Sequence, residues 1–303
     1  TYKRSGAFGK KLSHPVPPPA QPSPSYTTHR KEHTMLWDTH MHTAFSTDSE
    51  ASPESMIKAS IELGLGGICI TDHMDYDYPL ENGKEMFRLD VDAYFNELRA
   101  LKEEFSDKIH IKIGIELGLN PSIEPDNRAL VHKYPFDFVI GSSHMVDGMD
   151  PYYPKFWDGR DSSNAIHDYY KAILRNVTTY DDYDVYGHLD YIRRYIKDKD
   201  YVYVDDDFYD ITEMILKNII AKGHGIELNT RGLSNGITYF IPTITILKRY
   251  RELGGEIVTV GSDAHYVKSL GYAFRTARDI LVNTGFKYVA SFEDRSPAFI
   301  PLT

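Results

Sequence analysis

The chain has 303 residues, of which 41% are hydrophobic and 26% charged, a composition that is ordinary for a globular protein of one large domain or two smaller ones. Its net charge of −10 argues against a protein that binds a nucleic-acid backbone, and no apolar run approaches the roughly 20 residues that cross a bilayer. The single cysteine, Cys69, excludes an internal disulfide and a cysteine zinc cluster. We therefore expect a cytoplasmic protein that binds neither membranes nor nucleic acids.

The first 34 residues differ in kind from the rest of the chain. They are rich in Pro and Ser, basic, and without hydrophobic periodicity, which predicts a disordered or extended arm. The segment begins without Met and leads into Met35, so we interpret it as vector-derived residues or a linker, with a targeting or interaction arm as the alternative. Residues 35–303 are predicted to form a single domain.

Short apolar segments, rich in Ile and Val, recur along that domain, and each ends in polar residues. Such segments are typical of strands buried on both faces. The seven predicted strands are MLWDTHMHT, GGICITDH, HIKIGIELG, FDFVIGSSH, DVYGHLDY, GIELNTRG and EIVTVGSDAH. Helical patterns lie between them; the first has Ser52 as a predicted N-cap before Pro53. This alternation predicts an α/β fold, a (β/α)7 TIM-like barrel with its active site at the C-terminal ends of the strands.

Two long insertions interrupt the alternation, at about 76–90 and 147–163. Both follow predicted strands at the end where barrel enzymes build their sites. We expect both insertions to cover the mouth of the barrel.

Metal-ligating residue types gather at the strand ends. His40 and His42 alternate, so in an extended strand their rings project from one face. Any one of these side chains could be a loop residue or a cap, and Asp72 could serve only to orient His73 or the nearby backbone. Taken together at one end of six strands, they predict a site with ligands for more than one metal ion: His40, His42, Asp72, His73, Glu116, His144, His188, Asp263 and His265.

The motifs DTHMHT, TDH, IGIE, SSH, GHLD and SDAH resemble, in this order, those of the polymerase-and-histidinol-phosphatase (PHP) superfamily. The resemblance runs from Met35 to about Phe286, and the stretches GHLDYIRRY and IELNTRG are similar to those of its histidinol-phosphatase members. The family fold is a distorted seven-stranded β/α barrel, in agreement with the strand count.

The resemblance implies three divalent metal ions, of Zn, Fe or Mn. The first would be held by His40, His42, Glu116 and Asp263, with Glu116 bridging to the second, which His144 and His188 complete. The third would be held by His73, His265 and Asp48, which stands where many members have His. Asp38 would orient a ligand histidine.

A phosphate monoester, L-histidinol phosphate, is the substrate that the resemblance implies. A hydroxide bridging two ions would attack the phosphorus, because metal binding lowers the pKa of water to about 7. Arg194 and Arg231 are predicted to bind the phosphate, with Arg193 as the alternative in its pair. Asp263 and His265 are the candidate catalytic acids, and Asp75, Tyr76 and Asp77 are candidates to receive the alcohol.

Two alternatives remain open. Another PHP-type phosphoesterase, such as a polymerase-linked exonuclease, a nucleotide phosphodiesterase or a phosphotyrosine phosphatase, would share the metal ligands. A non-catalytic barrel that binds metal would also share them but would turn over no ester.

Overall fold

The computed structural model describes residues 37–302, so the arm predicted at 1–34 lies outside the described residues. Eight strands form one sheet in which all neighbours are parallel. They run in the order β1-β2-β4-β5-β6-β7-β8, with β3 paired to β4. Their bounds are β1 Trp37–Asp38, β2 Gly67–Ile70, β3 His73–Met74, β4 His110–Gly118, β5 Phe138–Ser142, β6 Val185–Tyr186, β7 Gly225–Asn229 and β8 Val258–Gly261.

The sheet is closed by backbone hydrogen bonds between its first and last strands. Thr39 N donates to Val260 O (3.1 Å), and Asp263 N donates to His40 O (2.7 Å). Strands β2 and β3 pair with successive parts of β4, so the predicted second strand is one strand interrupted at Thr71 and Asp72. The prediction of a distorted seven-stranded barrel is therefore confirmed.

Nine α-helices lie in the described part of the chain. The first begins after Ser52, whose side chain accepts from Ser55 N, and ends at Gly64, whose φ of 71° suits glycine. The longest helix of the described residues is α5, with 18 residues. The bounds are α1 Pro53–Leu63, α2 Val91–Glu104, α3 Glu124–Lys133, α4 Pro154–Trp157, α5 Ser162–Thr179, α6 Tyr209–Ala221, α7 Arg231–Ser234, α8 Ile244–Glu252 and α9 Phe274–Asn283.

A C-terminal antiparallel hairpin, which the sequence pattern did not predict, covers the amino ends of the barrel strands. It consists of β9 Tyr288–Glu293 and β10 Ser296–Pro301. The Phe292 ring stacks on Phe138, the first residue of β5, with centroids 4.8 Å apart. Cys69 is buried in the same apolar cluster, as expected for a small hydrophobe. The hairpin therefore closes the end of the barrel opposite the strand ends that carry the predicted ligands.

The two insertions meet at the carboxyl ends of the strands. The hydroxyl of Tyr78, in the first insertion, donates a hydrogen bond to Asp150 Oδ2, in the second (3.1 Å). Both insertions contribute side chains to the wall of one cavity there. Within residues 37–302, no helix combines the length and the apolar composition that a membrane crossing requires.

Candidate metal centre

The nine residues that the resemblance implies as metal ligands lie together at the carboxyl ends of the barrel strands, and the carboxylate of Glu116 contacts five of the others. Glu116 is fully buried in β4, where its side chain points to the centre of the barrel. Its Oε1 lies 2.8 Å from His188 Nε2 and 3.3 Å from His144 Nε2, and it accepts from Ser142 Oγ. One oxygen of Glu116 is thus turned to the histidines of the fourth and fifth predicted strands.

The second oxygen of Glu116 is turned to the opposite side of the barrel. Its Oε2 lies 2.9 Å from His73 Nδ1, 3.4 Å from His40 Nε2 and 3.5 Å from His42 Nε2. Burial raises the pKa of Glu116, but the imidazoles of His40 and His73 outweigh it, and the pKa lies well below its usual range. A carboxylate placed between two groups of imidazoles has the position of a bridging ligand.

His40 and His42 project from the same side of the chain, as their alternation predicts. Their Nε2 atoms are 3.0 Å apart, and both face Glu116 Oε2. His40 Nδ1 lies 2.6 Å from Glu227 Oε1. Burial and the neighbouring imidazoles of His265 and His73 lower the pKa of His42 well below its ordinary value.

A third group of donors surrounds Asp48, which lies on the loop after β1. Its Oδ2 is 2.8 Å from His265 Nε2 and 4.0 Å from His73 Nε2. The His42 ring lies between those two histidines, with its centroid 4.1 Å from each of theirs. His42 therefore adjoins two donor groups, whereas the sequence analysis placed it in the first alone.

The donor set fits divalent metal ions. There are three sets of residues in which one donor atom from each member lies within 4.8 Å of the others. They are His40, His42 and Glu116; His42, His73 and His265; and His73, Glu116 and His144. Within the described residues, Glu116 Oε2 and His73 Nδ1 are buried without a hydrogen-bond partner. These two atoms lie 2.9 Å apart, and both are of the types that bind divalent metal ions.

Buried carboxylates outside this set hold the ligands in place. Asp75 Oδ1 lies 2.7 Å from His144 Nδ1, and Glu227 Oε2 accepts from the backbone N of His188 (2.9 Å). Such partners fix the tautomer and the orientation of a ligating imidazole. Glu227 was missed by the sequence analysis, although a glutamate in the middle of a buried strand was the available signal.

The two remaining predicted acids act on the backbone. Asp38 accepts from the N–H groups of Ser262 (2.9 Å) and Gly271 (3.1 Å), and so it connects the end of β1 to the segment after β8. The carboxylate that contacts the His40 ring is that of Glu227, not that of Asp38. Asp72 accepts from Thr43 N at 2.7 Å. It therefore orders the loop that follows β1.

Asp263 links the donor groups to two arginines. Its Oδ1 lies 3.5 Å from His42 Nε2 and accepts from Arg231 Nη1 (2.8 Å), while Oδ2 accepts from Arg194 Nη1 (3.2 Å). Burial raises the pKa of Asp263, but Arg231 and other neighbouring cations outweigh it and hold the pKa well below its usual range. Asp263 (φ 51°) and His188 (φ 23°) also have a positive φ, which is uncommon for non-glycine residues.

Two adjacent arginines, Arg193 and Arg194, follow β6, and Arg194 is the one that contacts Asp263. Arg193 donates to Asp190 Oδ2 (2.9 Å) and lies over the rings of Tyr203 and Tyr239, 4.0 and 4.1 Å from their centroids. Arg194 lines the cavity, with its side chain only 6% exposed. The structure thus brings the predicted arginine, and not its alternative, to the donor groups.

The cavity above the donor groups has a volume of about 370 Å³. Four of the ligand histidines line it, His73, His144, His188 and His265, together with Asp263 and the two arginines. Another part of its wall comes from the two insertions and is aromatic and acidic. It includes Tyr78, Glu81, Phe87, Asp150, Tyr152 and Tyr153.

Comparisons with known proteins agree with this geometry. The sequence model of the PHP domain family matches residues 38–231, more than half of the chain. A protein of Clostridium acetobutylicum named "Probable histidinol-phosphatase" is 36% identical over 261 residues, which are 86% of this chain and 98% of that protein. The histidinol-phosphatase of Lactococcus lactis is 33% identical over 258 residues, 84% of this chain and 93% of that protein.

A solved structure is similar over nearly the same span. The crystal structure of histidinol phosphate phosphatase from Lactococcus lactis, complexed with zinc, L-histidinol and phosphate, aligns with a TM-score of 0.81 and 32% identity. The alignment covers 87% of this chain and 98% of that one. The chain therefore belongs to the PHP domain family and, within it, to the histidinol-phosphatases.

Proposed function

We propose that this protein is a metal-dependent phosphomonoesterase that hydrolyses L-histidinol phosphate to L-histidinol and inorganic phosphate, a reaction of histidine biosynthesis. The observation that carries the proposal is the grouping of Glu116 with eight other imidazole and carboxylate donors, beside two arginines, at one cavity. Relatives named histidinol-phosphatase, similar over nearly their whole length, support this substrate. A cytoplasmic location stays a prediction.

We propose three divalent ions, of Zn, Fe or Mn, as the cofactors. His40, His42, Glu116 and Asp263 would hold the first; Glu116, His144 and His188 the second; and Asp48, His73 and His265 the third. Divalent ions in such a site lower the pKa of water and polarise phosphoryl oxygens. Zinc is present in the Lactococcus lactis structure.

The charge of the proposed centre suits a phosphate dianion. Three divalent ions carry six positive charges, against three negative charges from the ligand carboxylates Asp48, Glu116 and Asp263. The two arginines add further positive charge at the same edge of the cavity. The centre is therefore cationic although the chain as a whole is acidic, and it favours a dianionic ester over a neutral amide.

Arg194 and Arg231 are proposed to bind the phosphoryl group. Each already contacts Asp263, but a guanidinium carries five N–H donors, and within the described residues Arg194 Nη1 makes a single hydrogen bond, to Asp263, although it bears two hydrogens. Guanidinium forks match phosphate oxygens in a bidentate manner. The unused donors of Arg194 are available for this contact.

Asp263 and His265 are the groups proposed to pass a proton to the leaving alkoxide. Asp263 is ionised because its pKa is low, so it would first take the proton from the attacking water. Both line the cavity, and His265 Nδ1 lies 3.0 Å from the backbone O of Asp263. Either group would act beside the arginines, at the edge where the ester oxygen of a bound phosphate would leave.

The aromatic and acidic part of the cavity wall suits a cationic alcohol, and L-histidinol carries an ammonium and an imidazole. Asp150 is nearly buried there and accepts from Tyr78 OH and Tyr152 N. The sequence analysis offered other residues for this role, and two of them do not line the cavity: Asp77 accepts from Asn120 Nδ2 (2.8 Å), and Tyr76 lies under Arg88. The third, Asp75, lines the cavity but is paired with His144.

The proposal predicts a strong preference for one ester. kcat/KM for L-histidinol phosphate should exceed that for neutral alkyl and aryl phosphates by roughly a hundredfold, because only a cationic alcohol pairs with the acidic wall. The measurement is kcat/KM across a panel that includes phosphotyrosine, a nucleotide monoester and a phosphodiester. A flat profile would reject the substrate, preference for the diester would indicate a phosphodiesterase, and metal binding without turnover of any ester would indicate a non-catalytic barrel.

A further inference from the structure

Asn229 stands between the donor groups and the arginines without being a proposed ligand of either metal or phosphate. It is the last residue of β7, in the IELNTRG stretch, and its side chain is fully buried. Each predicted site residue around it already has a proposed role in binding metal or phosphate. A polar amide that is buried at this position needs hydrogen-bond partners for both its N–H groups and its oxygen.

The amide of Asn229 uses its full hydrogen-bonding capacity. Its Nδ2 donates to Glu227 Oε2 (3.1 Å) and to Asp263 Oδ2 (3.2 Å). Its Oδ1 accepts from Arg194 Nη2 (2.8 Å) and from the backbone N of Arg231 (3.0 Å). Two donors and two lone pairs are all that an amide possesses.

These four contacts also determine which way the amide points. A rotation by 180° about its last bond would turn Oδ1 towards two carboxylates and Nδ2 towards two N–H groups, so all four contacts would become repulsive. Aspartate has no donor for Glu227 and Asp263, and leucine offers neither donor nor acceptor. Asparagine is therefore the residue whose shape and polarity match both sides.

We infer that Asn229 is a positioning residue that sets the distance between the carboxylate of Asp263 and the guanidinium of Arg194. One amide joins a proposed metal ligand to a proposed phosphate-binding cation, so it couples the placement of the metal to the placement of the phosphate. This inference rests on the proposed function. It assigns the role to a side chain that itself contacts neither metal nor substrate.

The test compares Asn229→Ala in the wild-type background and in an Arg194→Ala background, with the metal-loaded protein. Binding of inorganic phosphate, measured by titration calorimetry, should weaken about tenfold to a hundredfold, because Arg194 loses its fixed acceptor. Binding of L-histidinol should change less than about twofold, and metal content by elemental analysis should stay the same. In the Arg194→Ala background, the added loss of phosphate affinity should be less than about threefold, because residues that act through one another are not additive.

Two further variants separate positioning from general destabilisation. Asn229→Leu fills the space that Ala would leave empty and should reproduce the phosphate defect. Asn127→Ala is the matched control, because Asn127 is equally buried but bonds to Gly118 O and Tyr180 OH, outside the donor groups. It should lower the thermal midpoint without a selective loss of phosphate binding.

Full additivity with Arg194→Ala, equal weakening of phosphate and L-histidinol, or unchanged phosphate binding in both Asn229 variants would each overturn the inference. Wild-type protein that fails to hydrolyse L-histidinol phosphate would reject the proposed function instead. The phosphate titrations would still decide the role of Asn229 in that case, since they need no turnover.

Discussion

Glu116→Ala is expected to abolish turnover and to lower the metal content by more than one ion per chain. The reason is the position of this carboxylate, whose two oxygens face two different groups of imidazoles. Loss of a bridging ligand weakens both ions that it joins, whereas loss of a terminal ligand weakens one. His144→Ala should accordingly affect mainly the second ion. Elemental analysis of the purified variants, together with kcat on L-histidinol phosphate, measures both effects.

The control for this prediction is Glu293→Ala, which removes a carboxylate from the opposite end of the barrel. Glu293 pairs with Lys112, and its side chain is 68% exposed. Its loss should leave metal content and kcat near those of the wild type. Full metal content in a folded Glu116→Ala protein would show that the carboxylate does not bridge.

Arg194→Ala and Arg231→Ala are each expected to lower kcat/KM while the metal content stays intact. A charge-assisted contact that strengthens in the transition state is worth about 2–4 kcal/mol, or roughly thirty- to a thousandfold in rate. Inorganic phosphate should weaken in parallel as a product inhibitor, because it offers the same oxygens. Inhibition by L-histidinol, which has no phosphate, should barely change. Steady-state kinetics with both products as inhibitors measures the three quantities.

Arg175→Ala is the matched control for the arginine variants. Its side chain is 54% exposed, and its ion pair is long, with 3.9 Å between Nη2 and Asp147 Oδ1. All three kinetic quantities should stay near those of the wild type. If phosphate and L-histidinol weakened equally in the Arg194 or Arg231 variant, the pocket would have collapsed, and the phosphate role would be wrong.

The fold and the grouping of the donors were predictable because both depend on local patterns. Short Ile- and Val-rich segments identify buried parallel strands, and polar residues at their ends must meet at one end of a barrel. The alternation of His40 and His42 fixes the direction of both rings for the same reason. A pattern of this kind needs no knowledge of distant contacts.

The second layer of the site was not predictable in the same way. Glu227 and Asn229 lie inside a strand pattern, and their partners come from other strands that are remote in sequence. Asp38 and Asp75 show the same limit, because the sequence places both near the site but does not tell a backbone partner from an imidazole partner. The packing of the β9–β10 hairpin on the barrel joins Phe292 to Phe138, which is remote in sequence, and no local period encodes such a contact.

The most direct test of the proposed function is the activity on L-histidinol phosphate of protein from which metal has been removed and then restored in measured amounts. Metal-free protein should be folded and inactive, because the imidazoles and carboxylates of the centre cannot by themselves activate water. Activity should return as divalent ions are added and should reach its plateau at about three ions per chain. Full hydrolysis of L-histidinol phosphate by the metal-free protein, or no hydrolysis at any metal content, would contradict it.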